Sequence, residues 1–265
     1  MIIVIPTKNE ERHILRAIKS AKNLSNEIYI FDSQSEDSTL DIAQELNVEV
    51  IQAPENIFFA EKMNFIYQYP RFANKYILRH DADEVISQKD AQIIKNAMID
   101  PNTDCFTLSR KLGFAGFKLS FGGTTLPVLR LALQNSVIYE NTPLDERILI
   151  KSEKKVQNLP AIIYDCPMLG FYDWIEKHNR YSEIESKLIF KTKKISSLNK
   201  PFKVKLYYML PPIIRPFLYF FYRYVILLGF LDKKPGFIFH ISHSLIYRLI
   251  IDVKLIILNL KQGNL

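Results

Sequence analysis

The first hundred residues alternate between short apolar runs and segments whose apolar residues recur at helical spacing. The apolar runs, each of strand length, are residues 2–5, 27–31, 48–52 and 76–78. After the first run, Ile14, Ile18 and Ala21 form one stripe of a helix. The first run is apolar on both faces, which suits the interior of a sheet covered by helices. The pattern therefore predicts an α/β fold with a doubly wound, mostly parallel sheet flanked by helices.

Two pairs of polar residues predict where helices begin. Thr7 and Glu10 have the spacing of a capping box, and so do Ser87 and Asp90. We therefore expect one helix directly after the first strand and another over residues 88–98.

Polar clusters follow three of the predicted strands, over residues 7–10, 32–38 and 81–84. The carboxyl ends of parallel strands meet at one edge of a sheet, and ligands bind there in open α/β sheets. The three clusters therefore predict one pocket with hydrogen-bonding groups and carboxylates. Neither of the common glycine-rich phosphate loops is present in the sequence.

The third cluster, Asp81-Ala82-Asp83, can turn two carboxylates toward one point. They would repel each other unless a cation or hydrogen-bond donors satisfied them. Mg²⁺ or Mn²⁺ shared with a diphosphate would do so, because these ions favour carboxylate and phosphate oxygens. The alternative is a solvated acidic turn before a capped helix.

The three clusters resemble, in order and spacing, motifs of the family 2 nucleotide-sugar glycosyltransferases of GT-A fold. The matching segments are residues 4–10, 32–39 and 81–83, and the resemblance covers most of residues 1–190. It implies a nucleoside-diphosphate-sugar donor, and it refines the predicted sheet to a mixed, mostly parallel one.

The resemblance also implies roles for individual residues. Pro6, Thr7 and Glu10 match the segment that lines the base and ribose, Asp32 matches the acid that reads the base, and Ser35 lies in the same loop. Thr7 and Ser35 could equally cap helices. The other residues implied to bind the nucleotide sugar are Lys62, Asn64, Asp81, Ala82 and Asp83. Of these, Asp81 and Asp83 match the metal and diphosphate loop.

Residues after the third cluster form the predicted acceptor side. Arg130, on a predicted strand, could face phosphate or pair with a nearby acid. An inverting transfer needs a carboxylate that deprotonates the incoming hydroxyl. Asp145 and Glu146 resemble the D-E or H-E acid of these enzymes, with Glu146 the better match; the alternative is a surface ion pair with Arg147. Residues 174–182 resemble a recurring segment of bacterial lipopolysaccharide-core, colanic-acid and capsule transferases. In the helix predicted over residues 171–190, His178 is expected to be packed rather than catalytic.

Charge divides the chain into two predicted domains, residues 1–199 and 200–265. The second carries ten Lys and Arg against Asp232 and Asp252, a formal charge of +8. Its basic residues alternate with aromatic and aliphatic ones, which favours helices lying on an anionic membrane. The alternative is a helical subdomain buried on the first domain; nucleic acid is not expected as a partner. We expect a peripheral protein at the cytoplasmic face of the bacterial inner membrane, in an oligomeric state that the sequence leaves open.

The function these features predict is the inverting, metal-assisted transfer of a hexose from a UDP-sugar. The acceptor would be a hydroxyl of a lipid-linked molecule, a lipopolysaccharide or a polysaccharide. A nucleotidyltransferase is a second enzyme class with a similar sheet, although the loop after the first strand lacks the glycine that such enzymes carry there. A third possibility is an inactive, membrane-docked scaffold.

Overall fold

The fold begins with strands and helices in strict alternation. The computed structural model describes residues 1–54, 58–98, 102–141, 148–151, 153–168, 170–191 and 202–262. The elements up to residue 97 are β1 (Ile2–Thr7), α1 (Ile14–Ala21), β2 (Ile28–Asp32), α2 (Thr39–Glu45), β3 (Glu49–Gln52), α3 (Phe59–Tyr67), β4 (Tyr76–Arg79), β5 (Glu84–Ile86) and α4 (Gln88–Ala97).

Strands dominate the next part of the chain, and helices the last. The strands are β6 (Cys105–Lys111), β7 (Gly113–Phe114), β8 (Phe117–Lys118), β9 (Thr125–Leu133), β10 (Val137–Tyr139), β11 (Ile148–Ile150) and β12 (Val156–Asp165). The helices are α5 (Phe171–Lys191), α6 (Phe202–Met209), α7 (Ile214–Phe221), α8 (Lys233–His240) and α9 (Tyr247–Lys261).

Eight strands form one sheet in the order β3-β2-β1-β4-β9-β6-β12-β5. Among the described residues, four of its seven strand pairings are parallel and three are antiparallel. The predicted mixed, mostly parallel α/β sheet is therefore confirmed.

The core lies on both faces of this sheet, which explains the unbroken apolar run of β1. Ile3 and Ile5 pack with α1 residues in one hydrophobic cluster, whereas Ile2 and Val4 pack with α3 residues in another. Successive side chains of a strand point to opposite faces, so a strand covered on both sides is apolar at every position.

The predicted helix cap at Thr7 is wrong. Thr7 is the last residue of β1, and α1 begins only at Ile14, after His13, which makes no side-chain capping bond. The hydroxyl of Thr7 instead donates to Asp32, at the end of β2. The second predicted cap is confirmed: Ser87 Oγ accepts a hydrogen bond from the backbone N–H of Asp90 at the start of α4.

Contacts divide the chain into two units. The sheet unit comprises the described parts of residues 1–118 and 125–168, and the helical unit comprises residues 119–124 with the described part of 169–265. The predicted domain boundary after residue 199 stays a prediction. Within the described ranges, no helix has both the length and the apolar character needed to cross a bilayer.

Buried polar contacts hold the helical unit together. Glu185 on α5 accepts hydrogen bonds from Tyr208, Tyr247 and Arg248. His178 stacks on Trp174 at 4.1 Å between ring centroids, and its Nδ1 lies 2.8 Å from the Trp174 carbonyl oxygen. The expectation that His178 is packed is confirmed.

Candidate functional site

The polar strand ends meet at one edge of the sheet. β1, β2 and β4 run parallel to one another. β12 has the same direction, because it is parallel to β6, and both β6 and β4 are antiparallel to β9. The carboxyl ends of these four strands therefore place Thr7, Asp32, the Asp81–Asp83 loop and Asp165 along one edge, where α/β sheets bind ligands.

Asp32 is the centre of the first group of polar side chains. It is fully buried, and its Oδ1 accepts hydrogen bonds from the hydroxyls of Thr7 (2.9 Å) and Ser35 (2.5 Å). Its Oδ2 accepts one from the backbone N–H of Ser35 (2.8 Å). A carboxylate oxygen has two lone pairs, so Oδ2 can accept one further donor. Asp32 thus joins the ends of β1 and β2 and keeps one acceptor position.

Lys62 approaches the same group from α3. Its Nζ donates to the carbonyl oxygen of Thr7 (3.1 Å) and to Ser33 Oγ (2.6 Å). Burial lowers the pKa of Lys62 to about 8, although the nearby charge of Asp32 opposes this shift. An ammonium has three donors, and these two contacts leave one for a further acceptor. The structure thus places a buried cation beside Asp32.

The remaining residues implied to line the base pocket lie at different distances from this group. Pro6 is buried in β1 next to Thr7. Glu10 binds His13 through its carboxylate, and its backbone N–H donates to Thr39 Oγ1 (2.8 Å). Asn64 uses both groups of its side-chain amide on the backbone of Tyr139, at 2.8 Å each, and therefore ties α3 to β10. Thr7, Asp32, Ser35 and Lys62 are thus brought together, whereas Asn64 is committed to a strand.

Asp81 belongs to a second group, which is held by two arginines. Its Oδ1 accepts from Arg79 Nε (2.7 Å), and its Oδ2 accepts from Arg79 Nη2 (3.0 Å) and Arg130 Nη2 (2.9 Å). Burial by itself raises the pKa of Asp81, but the charges of Arg130 and Arg79 outweigh it and hold that pKa well below its usual range. Asp81 is therefore an ionised acid whose two oxygens are already engaged.

Arg130 lies between Asp81 and Glu84. It is 3% exposed and also forms an ion pair with Glu84, which is itself fully buried. Of the two alternatives that the sequence left open, the structure shows the pairing with acids. A role of Arg130 toward a donor phosphate stays a prediction. Ala82, between the two aspartates, is buried in the hydrophobic core.

Asp165 was not predicted from the sequence, and it lies beside Asp83. The backbone N–H of Cys166 donates to the carbonyl oxygen of Asp83 (2.8 Å), and Asp165 pairs in register with Glu84. Burial and then the charge of Asp83 raise the pKa of Asp165. Its Oδ1 is buried and has no hydrogen-bond partner among the described residues. The signal was present, because Asp165 ends the apolar run of residues 161–164 as Asp32 ends residues 28–31.

Asp83 and Asp165 are the residues whose chemistry fits a divalent cation. A buried carboxylate oxygen without a partner beside a second carboxylate is unfavourable unless a proton or a cation compensates it. Within the described part of the chain, no three His, Cys, Asp or Glu side chains form a metal-binding group. Two carboxylates that share an ion with the oxygens of a bound diphosphate fit the usual coordination of Mg²⁺. The predicted roles of Asp81 and Asp83 as metal ligands stay predictions.

The predicted catalytic acids, Asp145 and Glu146, lie outside the described residues. The described chain stops at Asn141, whose side chain donates to Glu61 Oε1 (3.0 Å), and resumes at Ile148 in β11. The assignment of the general base therefore stays a prediction.

Comparison with known sequences identifies the family. The sequence model of glycosyl transferase family 2 matches residues 2–167, and the chain belongs to this family. Over 100 residues it is 36% identical to a Rickettsia typhi protein described as an uncharacterized glycosyltransferase, a match that covers 38% of this chain and 33% of that protein. A Rickettsia felis protein with the same description is also 36% identical, over 38% of this chain and 34% of that protein. The chain thus spans about a third of the length of these curated relatives.

Among solved structures, the chain is similar to glucosyl-3-phosphoglycerate synthase from Mycobacterium tuberculosis. The structure of that enzyme with Mn²⁺, UDP-glucose and phosphoglyceric acid is 17% identical, with a TM-score of 0.36 over 41% of this chain and 43% of that chain. The structure with Mg²⁺ and UDP gives a TM-score of 0.35 over 41% and 42%. At this extent of similarity, nothing about the donor, the metal or the acceptor of this chain follows from it.

Proposed function

We propose that this protein transfers a hexose from a UDP-sugar, with inversion, to a hydroxyl of a lipid-linked, lipopolysaccharide or polysaccharide acceptor. The supporting observation is the meeting of two polar groups at one sheet edge. One joins Asp32 to a buried Lys62, and the other contains Asp83 and Asp165. A base-and-ribose pocket beside a site for a cation and a diphosphate suits a nucleotide-sugar donor. We place the reaction at the cytoplasmic face of the inner membrane, as the basic tail favours.

Donor binding in this proposal uses residues that the structure already holds in place. The free acceptor position of Asp32 Oδ2 receives a donor from the nucleotide, and the third N–H of Lys62 points to a ligand acceptor. Asp83 and Asp165 would hold Mg²⁺ or Mn²⁺, and the ion would supply positive charge to the leaving diphosphate. Arg79 and Arg130 keep Asp81 ionised and fix the loop that carries Asp83.

The transfer step needs a carboxylate on the acceptor side, for which we propose Glu146, with Asp145 as the alternative. The carboxylate removes the proton of the acceptor hydroxyl while the oxygen of that hydroxyl attacks the anomeric carbon of the sugar. The bond from that carbon to the diphosphate oxygen breaks, and the nucleoside diphosphate leaves from the opposite face. A single displacement of this kind inverts the configuration at the anomeric carbon.

A thermal-shift panel of nucleoside diphosphates, with and without Mn²⁺, tests the donor site. A ligand that binds only the folded protein raises its melting temperature. We expect UDP to do so and Mn²⁺ to increase the shift, whereas Asp83→Asn and Asp165→Asn should lose the Mn²⁺-dependent part. Glu45→Gln, an exposed acid on α2, is the matched control and should behave as the parent. If Mn²⁺ raised the melting temperature of both site variants as much as that of the parent, Asp83 and Asp165 would not be metal ligands.

Glu146→Gln tests the transfer step itself. The amide keeps the size of the side chain but cannot accept the proton, so UDP binding should persist while the rate falls by roughly 10²–10⁴-fold. Nuclear magnetic resonance of the product reports the configuration at the anomeric carbon. A parental rate in Glu146→Gln moves the assignment to Asp145, and a retained configuration contradicts the single displacement. Release of pyrophosphate from a nucleoside triphosphate would instead identify a nucleotidyltransferase.

A further inference from the structure

One helix of the helical unit turns its two arginines inward and an apolar side outward. This outer helix is α7 continued by the π-helical segment Tyr222–Ile226. Its exposed residues recur three and four apart along one side, which we term the outer face: Ile214, Phe217, Leu218, Phe221, Tyr222, Val225 and Ile226. These side chains are 39% to 58% exposed, and none is charged. A helix on the surface of a water-soluble domain has the opposite arrangement.

The two charged residues of the outer helix are turned into the protein. Arg215 is 4% exposed and forms a buried ion pair with Asp252 on α9, and its guanidinium carbon lies 4.6 Å from the ring centroid of Tyr208. Arg223 Nε donates to the carbonyl oxygen of Gly122 (2.7 Å). Breaking the buried ion pair of Arg215 with Asp252 would leave an uncompensated charge inside the protein, so rotation of the helix to hide its apolar side is unfavourable. The outer face is therefore fixed in its exposed orientation.

The loop whose carbonyl oxygen accepts the hydrogen bond of Arg223 requires a glycine at position 122. Gly122 has a φ of +69°, and a Cβ built at this position would lie 2.1 Å from His240 Nε2. The carboxylate of Asp232 accepts hydrogen bonds from the backbone N–H groups of Ser120 (3.0 Å) and Phe121 (2.9 Å) in the same loop. These contacts brace the outer helix from its inner side.

The apolar surface continues beyond the outer helix and then becomes basic. Leu228, Phe230 and Leu231 are 43% to 45% exposed, and the exposed Lys233 and Lys234 follow after Asp232. Phe237 and Ile238, in the next turns of α8, are again exposed. Residues 211–231 contain no Asp or Glu. Contiguous exposed apolar surface of this kind marks an interaction site, because water-soluble monomers rarely carry it.

We propose that the outer face inserts into the interfacial layer of an anionic lipid bilayer, with Lys233 and Lys234 contacting the headgroups. An apolar face can pack against the acyl chains of a bilayer, and the lysines that flank it can pair with negatively charged headgroups. The same segment of a second copy, packed face to face, offers apolar surface but little opposite charge, because Asp232 and Asp252, the acids of residues 202–262, are both engaged within the unit. The proposal does not depend on the transferase activity, since lipid binding can be measured without donor or acceptor.

Sedimentation of the full chain with vesicles tests this proposal. We expect binding to vesicles that contain phosphatidylglycerol, weaker binding to phosphatidylcholine alone, and release as salt is raised. Phe217→Gln combined with Phe221→Gln should lower the partition coefficient about tenfold or more, because two apolar anchors are lost. Lys233→Gln combined with Lys234→Gln should lower it about tenfold on anionic vesicles only. The matched control is Phe117→Gln, an exposed phenylalanine of the sheet unit that is 58% exposed.

A labelled cysteine gives a second measurement on a protein that keeps its anchors. The native Cys105 and Cys166 are both buried, so an environment-sensitive dye can be directed to Leu218→Cys, with Gln44→Cys on α2 as the control. Anionic vesicles should shift the emission of the dye to the blue only at residue 218. Equal partitioning of the parent and the Phe217/Phe221 variant, or an unchanged emission at residue 218, overturns the proposal. A stable dimer in light scattering that the same variant dissociates, without vesicle binding, assigns the face to a second copy instead.

Discussion

At the scale of single residues, the acids of the sheet edge differ in what compensates their charge. Asp32 is held by hydroxyls and a backbone N–H, and Asp81 by two guanidinium groups. Asp165 has a buried oxygen without a hydrogen-bond partner among the described residues, next to the charge of Asp83. A buried carboxylate oxygen without such compensation is poised to take a cation or a proton.

Lys62 allows a prediction of how donor binding depends on pH. Its pKa of about 8 in the free protein should rise when an anionic nucleotide binds, because negative charge stabilises the ammonium. Binding then requires the protonated form, so the dissociation constant of UDP should increase by up to about tenfold per pH unit above about pH 8. Calorimetric titrations between about pH 7 and pH 9 measure this slope.

Lys62→Met removes the titrating group while it keeps the length of the side chain. The variant should bind UDP more weakly at neutral pH, and its affinity should change less with pH than that of the parent. Lys8→Met, at an exposed lysine of the neighbouring loop, should retain the parental slope. If the dissociation constant of UDP changed with pH as steeply in Lys62→Met as in the parent, the titrating group would be another residue or the nucleotide itself.

At the scale of elements, one arginine links three strands at the site. Arg130 on β9 pairs with Asp81, after β4, and with Glu84, the first residue of β5. β9 is distant in the sequence from β4 and β5, and the pairing ties the loop of Asp83 to the sheet. The loop that the sequence marked as chemically active is thus held by a residue almost fifty positions later.

Arg130→Met should therefore destabilise the protein strongly. The substitution leaves the buried Glu84 without its cation, while Asp81 keeps Arg79, and it costs roughly 3–5 kcal/mol of the free energy of unfolding. Urea titrations measure the loss, and Arg71→Met is the matched control. Arg71 forms an exposed ion pair with Glu49, so its removal should cost much less than the removal of Arg130. Equal effects of the two substitutions would show that the buried pairing contributes no more than a surface one.

The beginning of α1 shows how a tertiary contact overrides a local signal. Thr7 and Glu10 have capping-box spacing, but a carboxylate from β2 takes the threonine hydroxyl. The chain then continues through a stretch of loop to His13, the residue before α1. The cap at Ser87 formed as predicted because the hydrogen bond between it and Asp90 lies within four residues. Local signals hold where no distant group competes for the same atom.

At the scale of the whole molecule, buried histidines make the fold sensitive to acid. Burial lowers the pKa of four of the five histidines below the usual value, namely His80, His178, His240 and His243. The value for His80 falls to about 4. In the unfolded chain these groups take up protons near their ordinary pKa of about 6.5. At these histidines protons therefore bind the unfolded state more readily, and the stability that their neutral forms contribute is lost as the pH falls.

His80 provides the clearest test of this dependence. It is fully buried, and neither ring nitrogen has a hydrogen-bond partner among the described residues. The stability that its neutral form contributes is present above about pH 6.5 and is lost as the pH falls toward about 4, by at most ~1.4 kcal/mol per pH unit. His80→Leu cannot take up this proton, so its free energy of unfolding should change less with pH across that window. Urea titrations at several pH values compare the two proteins, and parallel curves would contradict the assignment to His80.

The amino-acid sequence by itself determined the order of strands and helices and three of the polar clusters. Short runs that are apolar on both faces indicate strands covered on both sides, and acids at the strand ends mark the edge where ligands bind. Both signals can be read from the sequence because they depend on residues close together in the chain. The family followed from the same motifs, and the matched residues 2–167 agree with it.

Only the tertiary structure decided which charges meet. The pairing of Arg130 with Asp81 and Glu84, the position of Asp165 beside Asp83, and the inward turn of Arg215 and Arg223 all join residues far apart in the sequence. The basic, aromatic tail suggested a membrane surface or a buried subdomain. The folded helical unit shows which side of each helix is exposed, because burial is a property of packing between elements and not of composition.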